Sequence, residues 1–181
     1  ERGDYDEALH HYTAAASVYE RQGDEALLGR VYNNIGLVAW RMADLDRADE
    51  CFRRSLLLLR PLGQPRLQGN ILNNLGLVWE GRGDLGKAEQ LYQEAIEVLG
   101  EAGDLYYMAN AVANLGDVRE AQGDLSAALR LHRQALELRL QLSHRRGEVG
   151  SRVALCRSLL GSGQLEEASA QGELALSIAR E

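Results

Sequence analysis

The stretch Leu75-Gly76-Leu77-Val78-Trp79-Glu80-Gly81-Arg82-Gly83-Asp84-Leu85-Gly86-Lys87-Ala88-Glu89-Gln90-Leu91-Tyr92 decides the fold. Leu72, Leu75, Gly76 and Trp79 recur at helical spacing and mark one amphipathic helix. Gly81 and Gly83 stop it, because glycine enters the left-handed region at little cost. Asp84 then caps a second helix, its carboxylate accepting from the first free N–H groups. That helix runs from Leu85 through Ala88, Leu91, Tyr92, Ala95, Ile96 and Leu99. Gly103 ends it and Asp104 caps the next. Two antiparallel helices joined by a tight turn form an αα-hairpin. Gly76 and Ala88 mark where the backbones approach, and Trp79, Tyr92 and Ile96 fill the space around them.

The same residues return at a step of 40 in both directions: Asp4, Asp44, Asp84 and Asp124, with Gln164 next. Ala8, Ala48, Ala88, Ala128 and Ala168 keep the step, as do Gly3, Gly83, Gly123 and Gly163, with Ala43 in the gap. Gly23, Gly63 and Gly103 are followed by Ser143. A fixed period in this range is the mark of stacked supersecondary units. The phase predicts an orphan second helix over residues 4–22, with Asp4 and Glu7 as a capping box. Complete hairpins follow over 24–62, 64–102, 104–142 and 144–181. The expected fold is all-α: one α-α superhelix of about four and a half hairpin repeats over residues 1–181.

These residues resemble the tetratricopeptide repeat, whose pattern is W-x2-L-G-x2-Y, then Ala, then an aromatic four residues on. Leu75-Gly76-x2-Trp79, Ala88 and Tyr92 fit it; so do Ile35-Gly36, Ala48 and Phe52. Leu115-Gly116, Ala128 and His132 fit more loosely. Ala39 and Arg119 replace the first-helix aromatic, and no Pro is expected at the end of a second helix. The 40-residue period, against about 34 in the family, is similar to the long-helix subclass. That subclass includes kinesin light chains, Pins-type polarity adaptors and repeat regions of bacterial regulators. The resemblance implies a solenoid whose first helices line a concave groove.

Bulk properties narrow the function. The formal charge is -7 and Lys87 is the one lysine among twenty basic residues. No basic run forms a nucleic-acid footprint, so no direct nucleic-acid partner is expected. No apolar run approaches the ~20 residues of a membrane span, and no membrane partner is expected. Cys51 and Cys156 read as reduced thiols, and with no targeting segment the expected location is the cytoplasm. The arginine bias points to a GC-rich bacterial source. The opening Glu1-Arg2-Gly3-Asp4 falls within a repeat, so the chain reads as a fragment of a longer protein.

One face of the first helices has no packing reason. Asn34, Asn74 and Asn114 occupy identical places; Asn33 and Asn73 precede two of them, and Asn70 and Asn110 lie one turn earlier. Asn is a mediocre helix former, but its amide both donates and accepts. A row of such amides can pair with the backbone of an extended peptide. It can equally bond neighbouring helices and stiffen the stack, and three-fold recurrence also follows from repeat duplication. Related adaptors use equivalent Asn residues for peptide binding, as the resemblance implies. Arg30, Leu37, Trp40 and Arg41 of the first full repeat would tune specificity. So would Leu77 and Glu80 of the second, Asp117 and Glu120 of the third, and Arg157 and Leu160 of the fourth. Asn33, Asn110 and Asn114 stand where chaperone-binding members carry Lys/Arg of their carboxylate clamp, which argues against a C-terminal chaperone tail as ligand. The row stops at Val153 and Ala154.

Several motifs look chemical and are explained by the phase. Gly81-Arg82-Gly83-Asp84-Leu85-Gly86-Lys87 approaches a phosphate-binding loop, but Ala88 replaces the Ser/Thr and a helix replaces the preceding strand. Asp6 and His10 share a helix face without completing a metal shell, and His10 and His11 point to different sides. His132 stands at the aromatic position and Cys156 at the small-residue position, both as packing residues. No catalytic set, metal ligand set or cofactor is expected. The expected function is a non-enzymatic protein–protein interaction module that holds a peptide or partner segment in the groove. The alternative is a spacer or oligomerisation arm of a multidomain bacterial regulator. A homodimer would then form through the uncapped Tyr5, Tyr12, Ala15 and Val18 side of the first helix or through Leu174, Leu176 and Ile178.

Overall fold

A computed structural model describes residues 2–180. Nine α-helices follow one another among the described residues, with no strand: α1 (Arg2–Gln22), α2 (Glu25–Arg41), α3 (Leu45–Leu59), α4 (Pro65–Gly81), α5 (Leu85–Glu101), α6 (Leu105–Ala121), α7 (Leu125–Gln141), α8 (Arg145–Gly161) and α9 (Leu165–Arg180). A 3₁₀ turn, Arg60–Leu62, follows α3. The helices form two compact units, residues 1–98 and 99–181.

The turns have the chemistry that the period predicts. Gly23, Gly63, Gly83, Gly103, Gly123 and Gly163 all have φ between 62° and 84°. Ala43 and Ser143 take the same left-handed conformation at 59° and 50°, where a Cβ is costly. The chain then reverses through paired bonds: the Asp44 N–H donates to Ala39 O at 2.9 Å, and the Ala43 N–H to Trp40 O at 2.9 Å. The following Asp caps the next helix. Asp24, Asp44, Asp84, Asp104 and Asp124 each accept from the N–H three residues on, at 2.9–3.2 Å. Two expectations need correction. α1 begins at Arg2, so Asp4 lies inside its first turn and is no N-cap. Pro61 does close a second helix: lacking an N–H, it ends α3 and turns the chain into the 3₁₀ segment. Pro65 then opens α4, where the missing N–H costs nothing.

In the first unit, α2 and α3 pack as a hairpin, with α1 against α2 and α4 against α3. Leu59 fits over Gly29, and Ser55 Oγ donates to Gly29 O at 2.6 Å. Leu9, Ala16, Leu28, Val31, Ile35 and Cys51 form one core cluster. Ala39, Ala48, Phe52, Leu59, Ile71, Leu75 and Val78 form the next. In the second unit, α6 packs on α7 and α8 on α9, and α7 joins α8. Leu129, Leu136, Leu155, Leu159 and Ala168 form its core.

A shared device holds three hairpins closed. The glycines of the first helices accommodate a ring rather than a bare backbone. Gly36 faces Phe52, Gly76 faces Tyr92 and Gly116 faces His132, so close that an added Cβ would lie 2.3–2.6 Å from a ring atom.

Candidate functional site

The first helices of adjacent hairpins lie side by side within each unit: α2 beside α4, and α6 beside α8. In the first unit this contact divides the asparagines. Asn74 Nδ2 donates to Asn33 Oδ1 at 3.0 Å. Asn73 and Asn74 are only 7% and 5% exposed, so neither opens to solvent as the helical phase alone predicts. The reason is packing: the neighbouring first helix, and not water, meets the Asn74 amide. Asn34 and Asn70 are half-buried and, among the described residues, make no side-chain hydrogen bond. They are the amides of this face still open to a ligand.

The specificity candidates of this unit divide in the same way. Arg41 is exposed. Arg30 is also exposed, and its Nη2 reaches Gln64 Oε1 at 3.5 Å. Leu37 and Trp40 pack partly into the Phe52 cluster, and Leu77 is half-buried. Glu80 accepts from the Tyr92 hydroxyl at 2.7 Å.

In the second unit the acidic and basic candidates meet one another. Arg157 Nε donates to Glu120 Oε1 at 2.7 Å, and its Nη2 donates to Asp117 Oδ1. Ser158 Oγ donates to Glu120 Oε2. His132 is fully buried beside them, with Nε2 3.6 Å from Glu120 Oε2 and 3.9 Å from Asp117 Oδ1. Burial holds its imidazole below the ordinary range, against the pull of Asp117 and Glu120. Burial also works to raise the Glu120 carboxyl, but the hydrogen bonds from Arg157 and Ser158 prevail and hold it below the usual range. Asn110 accepts from Arg139, whose Nη1 also lies 3.2 Å from His144 Nδ1. Asn114 is half-buried, as is Ala154, while Val153 is exposed. The partnerships of Arg157 and Arg139 went unread in the sequence, although Arg157 stands one period beyond Asp117.

A second surface was also unread. A cleft of about 600 Å³ opens between α3 and α5, with Leu72 and Leu75 of α4 as its floor. Leu56, Leu57 and Leu91 line it, with Arg53, Arg60 and Glu94 at its edge. Its signal was the Leu56-Leu57-Leu58-Leu59 run, longer than the two adjacent apolar residues that a single buried stripe needs.

The glycine-rich segment at Gly81–Lys87 is a helix end and a cap. Lys87 Nζ lies 3.9 Å from the centre of the Trp79 ring and 3.4 Å from Asp84, and Arg82 stacks on the same indole at 4.6 Å. Both cysteines are free thiols; Cys51 is buried, and Cys156, expected as a packing residue, packs against the Leu155 cluster but is only half-buried. His10 and His11 are exposed, with His11 Nε2 3.8 Å from Glu7. Among the described residues no helix is long and apolar enough to cross a membrane.

Solved structures share this arrangement. BtubC (BKLC) from P. vanneervenii superposes with a TM-score of 0.85 at 23% identity, over 99% of this chain and 74% of that one. The Rap protein complexed with Competence and Sporulation Factor gives 0.84 at 16% identity, over 99% of this chain and 51% of that one. MamA gives 0.69 at 17% identity, over 99% and 91%. At these identities the likeness establishes the fold, a solenoid of helical hairpins. No curated protein matches the chain in sequence. The tetratricopeptide repeat family model matches residues 1–60 and 67–141, and the chain therefore belongs to the tetratricopeptide repeat family.

Proposed function

We propose that this chain is a non-enzymatic binding module that holds an extended segment of a partner protein against its first helices. The observation that carries the reading is the division of the asparagines in the first unit. Asn33 and Asn74 bond each other and lock α2 to α4. Asn34 and Asn70 are left half-buried and without a hydrogen-bond partner on the same face. A polar amide in that state favours a ligand that supplies both a donor and an acceptor, and a peptide backbone does so whatever its side chains are. Arg30 and Arg41 flank these amides with exposed positive charge, which favours a segment carrying acidic side chains. Asn110 and Asn114 hold the same register in the second unit. The Rap protein, of like fold, was solved in complex with Competence and Sporulation Factor, which supports a binding role for such a scaffold.

A random peptide library displayed on phage tests this reading. Enriched peptides should bind the wild type and lose at least tenfold in affinity for N34A/N70A, with helicity unchanged by circular dichroism. Failure to enrich any peptide, or equal affinity for the double variant, refutes it.

A second reading, a self-associating structural arm, draws on α9. Leu174 and Leu176 there are 46% and 58% exposed, apolar surface that self-association would bury. Light scattering across a concentration series separates the two: a monomer throughout removes the second reading.

A further inference from the structure

The third hairpin departs from its own repeat at one ring. Phe52 and Tyr92 occupy the register over Gly36 and Gly76, and the Tyr92 hydroxyl reaches Glu80 at 2.7 Å. Over Gly116 the ring is His132, and the carboxylate in the place of Glu80 is Glu120. An imidazole is shorter than a phenol. Its Nε2 stops 3.6 Å from Glu120 Oε2 and 3.9 Å from Asp117 Oδ1, beyond hydrogen-bond length. His132 is completely buried, and neither ring nitrogen has a hydrogen-bond partner. A buried polar atom left unpaired is costly and calls for an explanation.

The spacing supplies one. Nitrogen and oxygen ligands bind zinc at about 2.0–2.2 Å, which in a tetrahedral shell sets neighbouring ligand atoms about 3.3–3.6 Å apart. The gaps around His132 Nε2 are close to that separation. One ligand atom each from Asp117, Glu120 and His132 lies within 4.8 Å of the other two. Asp117 and Glu120 sit three residues apart on α6, so they point the same way, and His132 faces them from α7. One imidazole and two carboxylates make a borderline-to-hard set that suits zinc and its divalent neighbours.

We propose that Asp117, Glu120 and His132 form a binding site for a divalent transition-metal ion, with zinc as the reference ion. His132 supplies Nε2 from the buried side. Asp117, 38% exposed, keeps the opposite side open to water, which completes the shell. Arg157 stands beside both carboxylates as a resident cation, and its side chain is 54% exposed, so it has room to swing into solvent when an ion enters. Its bond to Asp117 Oδ1 and the bond of Ser158 to Glu120 Oε2 are the contacts that an ion replaces or shares.

The test is calorimetric titration of zinc alone into the chain at neutral pH. An H10Q/H11Q background removes the exposed imidazole pair of α1. H132Y keeps a ring over Gly116 and copies the Tyr92–Glu80 pair, and D117N leaves the imidazole in place. One zinc per chain is expected, with affinity at least tenfold weaker in H132Y and in D117N and no weaker in R157Q, where the competing cation is gone. Cobalt in place of zinc should give the strong visible absorption of a tetrahedral ion. No uptake of zinc up to millimolar concentration overturns the proposal, as does unchanged affinity in H132Y or D117N, or loss of binding in R157Q. The Asn34–Asn70 face of the first unit is untouched by these variants, so this result stands apart from peptide binding.

Discussion

Replacing Gly76 with Ala should destabilise the protein even though alanine is the better helix former. An added Cβ would lie 2.3, 2.6 and 2.8 Å from Cε1, Cδ1 and Cζ of Tyr92. Carbon atoms in ordinary contact stand about 3.5–4.0 Å apart, so the ring must retreat by roughly 1 Å. It has nowhere to go: Tyr92 is fully buried and its hydroxyl is tied to Glu80 at 2.7 Å. Overpacking of this kind costs about 1–3 kcal/mol, and the shortness of the contact argues for the upper part of that range. The gain in helix propensity offsets about 1 kcal/mol of it. The net loss is therefore about 1–2 kcal/mol. Gly150 provides the control. It lies inside α8 with no heavy atom within 4 Å of an added Cβ, so G150A should keep only the gain of about 1 kcal/mol. The two substitutions have the same chemistry and opposite expected signs. Urea titration followed by circular dichroism measures both, with midpoints compared at constant slope. In a Y92L background the G76A penalty should shrink, because the flat ring that creates it is absent. A G76A protein as stable as the wild type refutes the argument, and so does an equal penalty in the Y92L background.

The remaining predictions concern other levels of the structure. Ala43 and Ser143 hold left-handed φ values of 59° and 50°, so A43G and S143G should each raise the urea midpoint, corresponding to a gain of about 1 kcal/mol. Thiol titration with a disulfide reagent should show one fast and one slow cysteine. Burial raises the pKa of the Cys51 thiol and withholds it, whereas Cys156 is only half-buried, and C156S should abolish the fast phase. N34A/N70A should lose library-derived peptides at least tenfold while keeping its helicity. H132Y should lose zinc at least tenfold.

The sequence by itself determined what depends on near neighbours in the chain. Turns at Gly23, Gly83, Gly103, Gly123 and Gly163, caps at Asp44, Asp84, Asp104 and Asp124, and the stripe Leu72, Leu75, Gly76 all act within a few residues. Their geometry is therefore set by backbone dihedrals and local hydrogen bonds, and a 40-residue period repeats them legibly. Pro61 escaped that reading because it interrupts one hairpin and no other. The tertiary structure alone decided which polar groups meet. Asn33 and Asn74 are 41 residues apart, Asp117 and Arg157 are 40 apart, and each pair forms only when two first helices pack side by side. The helical phase placed all of these on one face. It could not say which face residues a neighbouring helix would cover, because that depends on the separation and angle of helices joined through an entire hairpin. The same holds for His132. Its register marked a packed ring, and only the length of an imidazole against the fixed distance to Glu120 left its nitrogen without a partner.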